Sequence, residues 1–197
     1  EQEITVSRDA LRAWLAERPE QSWGVMAIPG SDFSDLKGRM AILGEDAGAF
    51  DDTEGIILLT TLSLDEALRQ RLLHSLQRRP RPVLLANPDL AAPREDGFTL
   101  EPGYIAWEIM QKTACIPIGL GKPHAPIFEQ ALQQLPPGIR RERVLMIGDT
   151  LHTDIAGACH CGLHSALVTE RGFCSDLDWK AAIAHTGIVP HHVLWQA

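Results

Sequence analysis

The sequence predicts an α/β protein, because short apolar strands alternate with amphipathic helices along the whole 197-residue chain. Two joins carry the prediction: "GIILLTT" runs into "SLDEALRQRLLHSLQRR", and "VLMIGD" runs into "TDIAGACHCG". Proline and glycine punctuate the intervals between such units. A chain of this length forms one large domain or two small ones and leaves room for a real core either way.

The elements follow in order. Residues 7–18 predict a helix, with Ser7 as N-cap, Leu11, Trp14 and Leu15 at helical spacing, and Pro19 as the stop. "SWGVMAIPG" predicts a strand broken by Pro29 and Gly30, "RMAILGED" a second and "GIILLTT" a third. In the next helix Leu64, Leu68, Leu72, Leu73 and Leu76 form one face, with Ser63 and Glu66 at capping-box spacing. "RPVLLANPD" predicts a strand, and the Pro-, Gly- and charge-rich residues 88–103 a loop. "GYIAWEIMQKTA" predicts a helix, "IPIGLG" a short strand, and "APIFEQALQQL" a helix entered through Pro123 and stopped by Pro136, Pro137 and Gly138. "RVLMIGD" reads as a strand covered on both faces of a parallel sheet. A helix to Gly162, a strand "HSALVT", a helix "WKAAIAHTG" and a strand around "HHVLW" complete the chain. The five tryptophans, Trp14, Trp23, Trp107, Trp179 and Trp195, are expected as packing residues.

With 45% apolar and 22% charged residues, the composition is that of a globular protein. A formal net charge of −8 argues against a sequence-independent grip on nucleic acid or anionic membrane. The apolar runs fall far short of a bilayer span, and the first residues do not resemble a secretion signal. Cys115, Cys159, Cys161 and Cys174 form no secreted disulfide framework. Cys159, His160, Cys161 and His164 lack a matching distant pair, so thiols in a reducing cytoplasm are expected rather than a zinc site.

The chemistry is expected at strand ends, where ligands collect in open parallel sheets. Asp149 follows the "VLMIG" strand, and Asp154 lies five residues on, in the next helix. Such carboxylates suit a hard divalent cation such as magnesium. They equally suit a helix cap at Asp149 with a first-turn acid at Asp154, and spacing alone leaves both readings open. Lys122, in "GLGKPHAPIF", follows a Gly-rich turn and precedes Pro123. A lysine fixed there could neutralise a phosphate, although exposed loop lysines are common.

"LGKPHAPIFEQAL" followed by "VLMIGDTLHTDIAGACHCGLHSALVTERG" resembles the last two motifs of the haloacid dehalogenase-like (HAD) phosphatases. The similarity is to subfamily IIA, which holds the NagD-like sugar phosphatases and p-nitrophenyl phosphatases. "VLLANPDLAAPREDGFTLEPGYIAWEI" extends it, and the resemblance covers about residues 83 to 172. It implies a Rossmann-type three-layer α/β core with an inserted α/β cap of the C2 type. Residues 1–19 would then be a core or hinge segment, 20–102 the cap and 103–197 the C-terminal part of the core.

The same resemblance implies a magnesium-dependent phosphomonoesterase. Asp149 and Asp154 would form the metal site, and Lys122 would hold the nucleophile and the transferring phosphoryl group. Asn87, Asp89 and His124 would approach a small-molecule phosphate ester, and His152 flanks the same loops. Gly148 would let the backbone come close.

One motif departs from the pattern. The family's nucleophile is the first aspartate of Asp-x-Asp-Gly after an apolar strand, and this sequence holds no such string. Asp176 and Asp178 have the spacing but not the strand or glycine, and Asp32 and Asp35 have the wrong spacing. Thr60 and Thr61 fit cap strands better than a phosphate-binding motif. The N-terminal core segment is therefore expected outside these residues, which would make the chain inactive alone. It would be accompanied by the missing fragment or paired in a homodimer. The competing expectations are a catalytically inactive relative that binds or regulates, and an unrelated flavodoxin-like domain.

Overall fold

The protein is described from a computed structural model covering residues 3–46, 48–94, 97–175 and 177–195. The chain divides into two compact units, residues 6–121 and residues 1–5 with 122–197. Among the described residues no helix is long and apolar enough to cross a membrane.

The first unit is built on five parallel strands in the order β2-β1-β3-β4-β7. Helix α1 (Ser7–Ala16) precedes β1 (Ser22–Met26), β2 (Arg39–Ile42) and β3 (Gly55–Leu58). Helix α2 (Glu66–Arg78) leads to β4 (Val83–Leu85), the hairpin β5 (Ala91–Arg94) and β6 (Gly97–Leu100), α3 (Pro102–Lys112) and β7 (Ile118–Gly119). β1, β3 and β4 are buried along their whole length, as strands covered on both faces should be. Trp23 fits only because its partner in register, Gly55, has no side chain: a Cβ there would lie 2.2 Å from the indole ring.

Helix caps differ from expectation in detail. Ser7 is the first helical residue of α1, and Val6 occupies the cap position, its amide bonded to Asp9 Oδ2 at 2.8 Å. Asp65, not Ser63, caps α2, accepting from the Leu68 amide at 2.7 Å. The Ser63 hydroxyl instead donates to the Ala27 carbonyl at 2.7 Å. At α2 the Asp65 carboxylate makes a charge-assisted bond to the amide, stronger than a hydroxyl would form.

Residues 88–103 hold an antiparallel hairpin with Ala91 opposite Leu100, where a loop was expected. Gly97, at φ 124°, permits the reversal. Residues 103–121, expected with the core, pack into the first unit. Ile105, Ala106 and Ile109 join its apolar cluster, and Ile118 pairs with Leu84.

The second unit comprises α4 (Ala125–Leu132), β8 (Leu145–Gly148), a π-helical turn (Leu151–Ile155) running into α5 (Ala156–His160), and β9 (His164–Val168). A 3-10 turn (Gly172–Cys174), α6 (Trp179–Thr186) and β10 (His192–Leu194) follow. Its three strands are parallel in the order β10-β9-β8. Leu151, Ile155, Leu167 and Cys174 form its small core with Trp179 and Ile183 against them.

β8, expected to be covered on both faces, is an edge strand with Leu145 46% and Ile147 55% exposed. Its apolar composition marks a buried strand, but the described residues supply a neighbour on one side only. Trp23 is buried with Trp14 edge-on to it, whereas Trp107 and Trp195 are exposed, against the packing role expected of them.

Candidate functional site

The second unit brings Lys122, Asp149 and Asp154 together. β8 ends at Gly148, so Asp149 stands at the carboxyl end of a parallel strand. The chain then widens into the π-helical turn, in which the Asp154 and Ile155 amides both donate to the Thr150 carbonyl, at 3.0 and 3.2 Å. Such turns recur at functional sites. Asp154 lies within this one, and its side chain is only 4% exposed.

Both oxygens of Asp154 are engaged. Its Oδ1 accepts from Lys122 Nζ at 2.6 Å, and its Oδ2 accepts the amides of Asp149 and Thr150 at 3.1 and 3.3 Å. It therefore locks the loop after β8 to the lysine. Gly148 makes room for it: a Cβ at this position would lie 2.3 Å from Asp154 Cβ, Cγ and Oδ2. Lys122 keeps 46% of its side chain exposed.

Asp149 is held differently. Its Oδ1 accepts the Thr150 hydroxyl at 3.0 Å, and its Oδ2 accepts the backbone N–H of Phe173 at 2.8 Å. Partial burial by itself would raise its pKa. The Phe173 amide, the Thr150 hydroxyl, its own amide and the Lys122 charge outweigh this and hold the carboxyl below the ordinary carboxylate range. The result is an ionised carboxylate with lone pairs left over on both oxygens.

As an oxygen donor, Asp149 fits a hard cation such as magnesium. Asp154 fits less well as a direct ligand, since lysine and two amides already occupy it. Among the described residues no group of three or more His, Cys, Asp or Glu side chains is arranged to hold a metal ion. Any ion here would therefore complete its shell with water, substrate or other polypeptide, which is usual for magnesium.

The remaining expected residues make other contacts. Asn87 and Asp89 belong to the first unit, where Asn87 Oδ1 accepts the Asp89 amide at 3.2 Å in an Asx turn after β4. His124 stands at the N-terminus of α4, and desolvation and then nearby His160 lower its pKa. His152 lies in the π-helical turn, its ring edge-on to Phe173 at 5.8 Å. Thr61 donates to the Leu100 carbonyl at 2.6 Å, a structural bond. Asp35 pairs with Arg8, Asp178 caps α6, and Asp176 lies outside the described residues. Cys161 is buried and Cys159 exposed. The sequence reading gave no role to Gly172 and Phe173, whose contact with Asp149 spans 24 positions and leaves no local pattern.

Residues 119–195 match the HAD-hydrolase-like family model. The dihydroxyacetone phosphatase of Corynebacterium glutamicum is 31% identical over 111 residues, 56% of this chain and 38% of that protein. The chain spans between 29% and 38% of the length of the first curated relatives it matches. Among solved structures, a p-nitrophenyl phosphatase from Archaeoglobus fulgidus superposes with a TM-score of 0.77 at 23% identity, over 98% of this chain and 71% of that one. A glycerol phosphate phosphatase from Mycobacterium tuberculosis, solved in complex with magnesium, gives 0.74 at 20% identity, over 97% and 55%. The fold is accordingly a Rossmann-like α/β core of the HAD type with an inserted cap domain.

Proposed function

We propose that this chain, with its HAD-type fold, carries the cation- and phosphate-handling part of a magnesium-dependent phosphomonoesterase of the NagD-like subfamily IIA, acting on a small-molecule phosphate ester. The observation that carries the reading is the Lys122–Asp154–Asp149 arrangement at the carboxyl end of β8. Relatives and fold neighbours named as phosphatases support it.

Asp149 would hold the magnesium ion. When bound, the ion would neutralise phosphoryl oxygens and orient them for in-line attack. Lys122 places an ammonium beside the same loop, where it offsets charge on the transferring group. Asp154 keeps that ammonium and the Asp149 backbone in fixed relation, so little reorganisation is needed during transfer. The nucleophile would be an aspartate on polypeptide outside residues 1–197, giving an aspartyl-phosphate that water then hydrolyses. The open edge of β8 supports this, since a further parallel strand there would bring its last residues alongside Asp149. Residues 20–102, within the first unit, would serve as the cap, with Asn87, Asp89 and, from the second unit, His124 as candidate substrate contacts.

The test is phosphate release by the full-length protein with magnesium across a panel of phosphate esters. Asp149→Ala is expected to lower the rate by about 100-fold or more. Equal release by the two proteins overturns the assignment, and absence of any release favours a binding or regulatory relative.

A further inference from the structure

We infer that the turn Arg171–Cys174 is a positioning strap for Asp149, in which Gly172 presents the Phe173 amide to the carboxylate and so fixes the direction of its free lone pairs. The inference rests on the reading of Asp149 as the magnesium ligand, but it concerns residues to which that reading assigns nothing. Phe173 N–H reaches Asp149 Oδ2 at 2.8 Å from 24 positions along the chain. Gly172 has φ 74°, and a Cβ built on it would fall 1.7 Å from that same oxygen. No other residue type meets both conditions, so glycine is required on steric and conformational grounds.

The strap is anchored away from the carboxylate. Cys174, 2% exposed, packs with Leu151, Ile155 and Leu167, and the Phe173 ring meets His152 edge-on. The donor is thus in place before any ion arrives. A carboxylate has about four acceptor positions, and Phe173 and Thr150 use one on each oxygen. The rest stay available in a set orientation, which spares the ordering cost of a freely rotating side chain. Losing an outer partner of this kind typically weakens metal binding by about 10- to 100-fold.

Two measurements on the full-length protein test the strap. In metal-free protein, the Phe173 amide should exchange with solvent slowly, and Asp149→Ala should speed it at least about 10-fold while β9 amides are unchanged. Unaltered exchange overturns the inference. Calorimetric titration with magnesium chloride should show Gly172→Ala binding about 10- to 100-fold more weakly. Phe173→Ala, which keeps the amide but gives up the ring's contact with His152, should lose less affinity than Gly172→Ala. Should Gly172→Ala not fold, Phe173→Pro removes the N–H together with the ring and is expected to weaken magnesium binding more than Phe173→Ala, which removes the ring alone. Magnesium binding by a folded variant lacking the amide or the glycine at the level of the unaltered protein overturns the strap. If the unaltered protein binds no magnesium, the phosphatase reading falls, and amide exchange still decides whether the strap exists.

Discussion

Asp154 shows how one residue can serve a site through bonds at both of its oxygens. Its two oxygens take Lys122 and two backbone amides, so its removal should loosen both the lysine and the loop carrying Asp149. Lys122→Met is expected to cost about 1–2 kcal/mol in denaturant unfolding, since the lysine is half exposed while the acid it leaves behind is buried. Gly148→Ala attacks the same point by crowding and should cost about 1–3 kcal/mol, because the added methyl meets Asp154 at 2.3 Å. A melting temperature within error of the unaltered protein would show that the loop relaxes freely. At this scale the sequence named Lys122, Asp149 and Asp154 through their motif. It could not reveal that Asp154 is spent on the protein's own amides, which depends on the π-helical turn.

At the scale of elements, acids rather than hydroxyls end the backbone ladders. Asp65→Ala should destabilise α2 by about 1 kcal/mol, read from the denaturation midpoint of the first unit. Ser63→Ala should leave the helix start intact, because its hydroxyl bonds the Ala27 carbonyl. β8 gives the sharper lesson. Its composition correctly signalled a strand, but burial belongs to neighbours, and composition cannot say whether those neighbours are present. The exposed Ile147 and the unpaired edge make β8 prone to pairing with other chains. Ile147→Lys is therefore expected to reduce light scattering by concentrated solutions of this chain. The hairpin at 91–100 was hidden for another reason, since its strands are four residues each and contain Pro93 and Gly97, which read locally as turn signals.

Across the whole molecule, each unit has its own core and its own charged network. In the first unit Glu108, with its side chain 6% exposed, takes Arg69 and, at 2.6 Å, Lys112. Burial alone would raise its pKa, but the bonds from Arg69 and Lys112 dominate and lower it. A lowered carboxyl stabilises the fold above its ordinary range and loses that contribution as the pH falls through the folded-state value. Stability of the first unit should therefore decline as the pH falls below the ordinary glutamate range, and less steeply in Glu108→Gln, as followed by urea unfolding. The alternation of strands and helices was legible except at the hairpin of residues 91–100. The division at Gly121 and Lys122 was not, because it depends on which sheet β7 joins.

That division has a calorimetric consequence. Two units with separate cores need not melt together, so one heat-absorption peak should resolve into two. Lys122, Asp149, Asp154 and Gly172 all lie in the second unit, so magnesium should shift one peak and leave the other in place. At about one hundred times its dissociation constant the shift corresponds to about 2.7 kcal/mol. A compound that moves only the other peak would then announce itself as a ligand of residues 6–121, before any turnover has been observed.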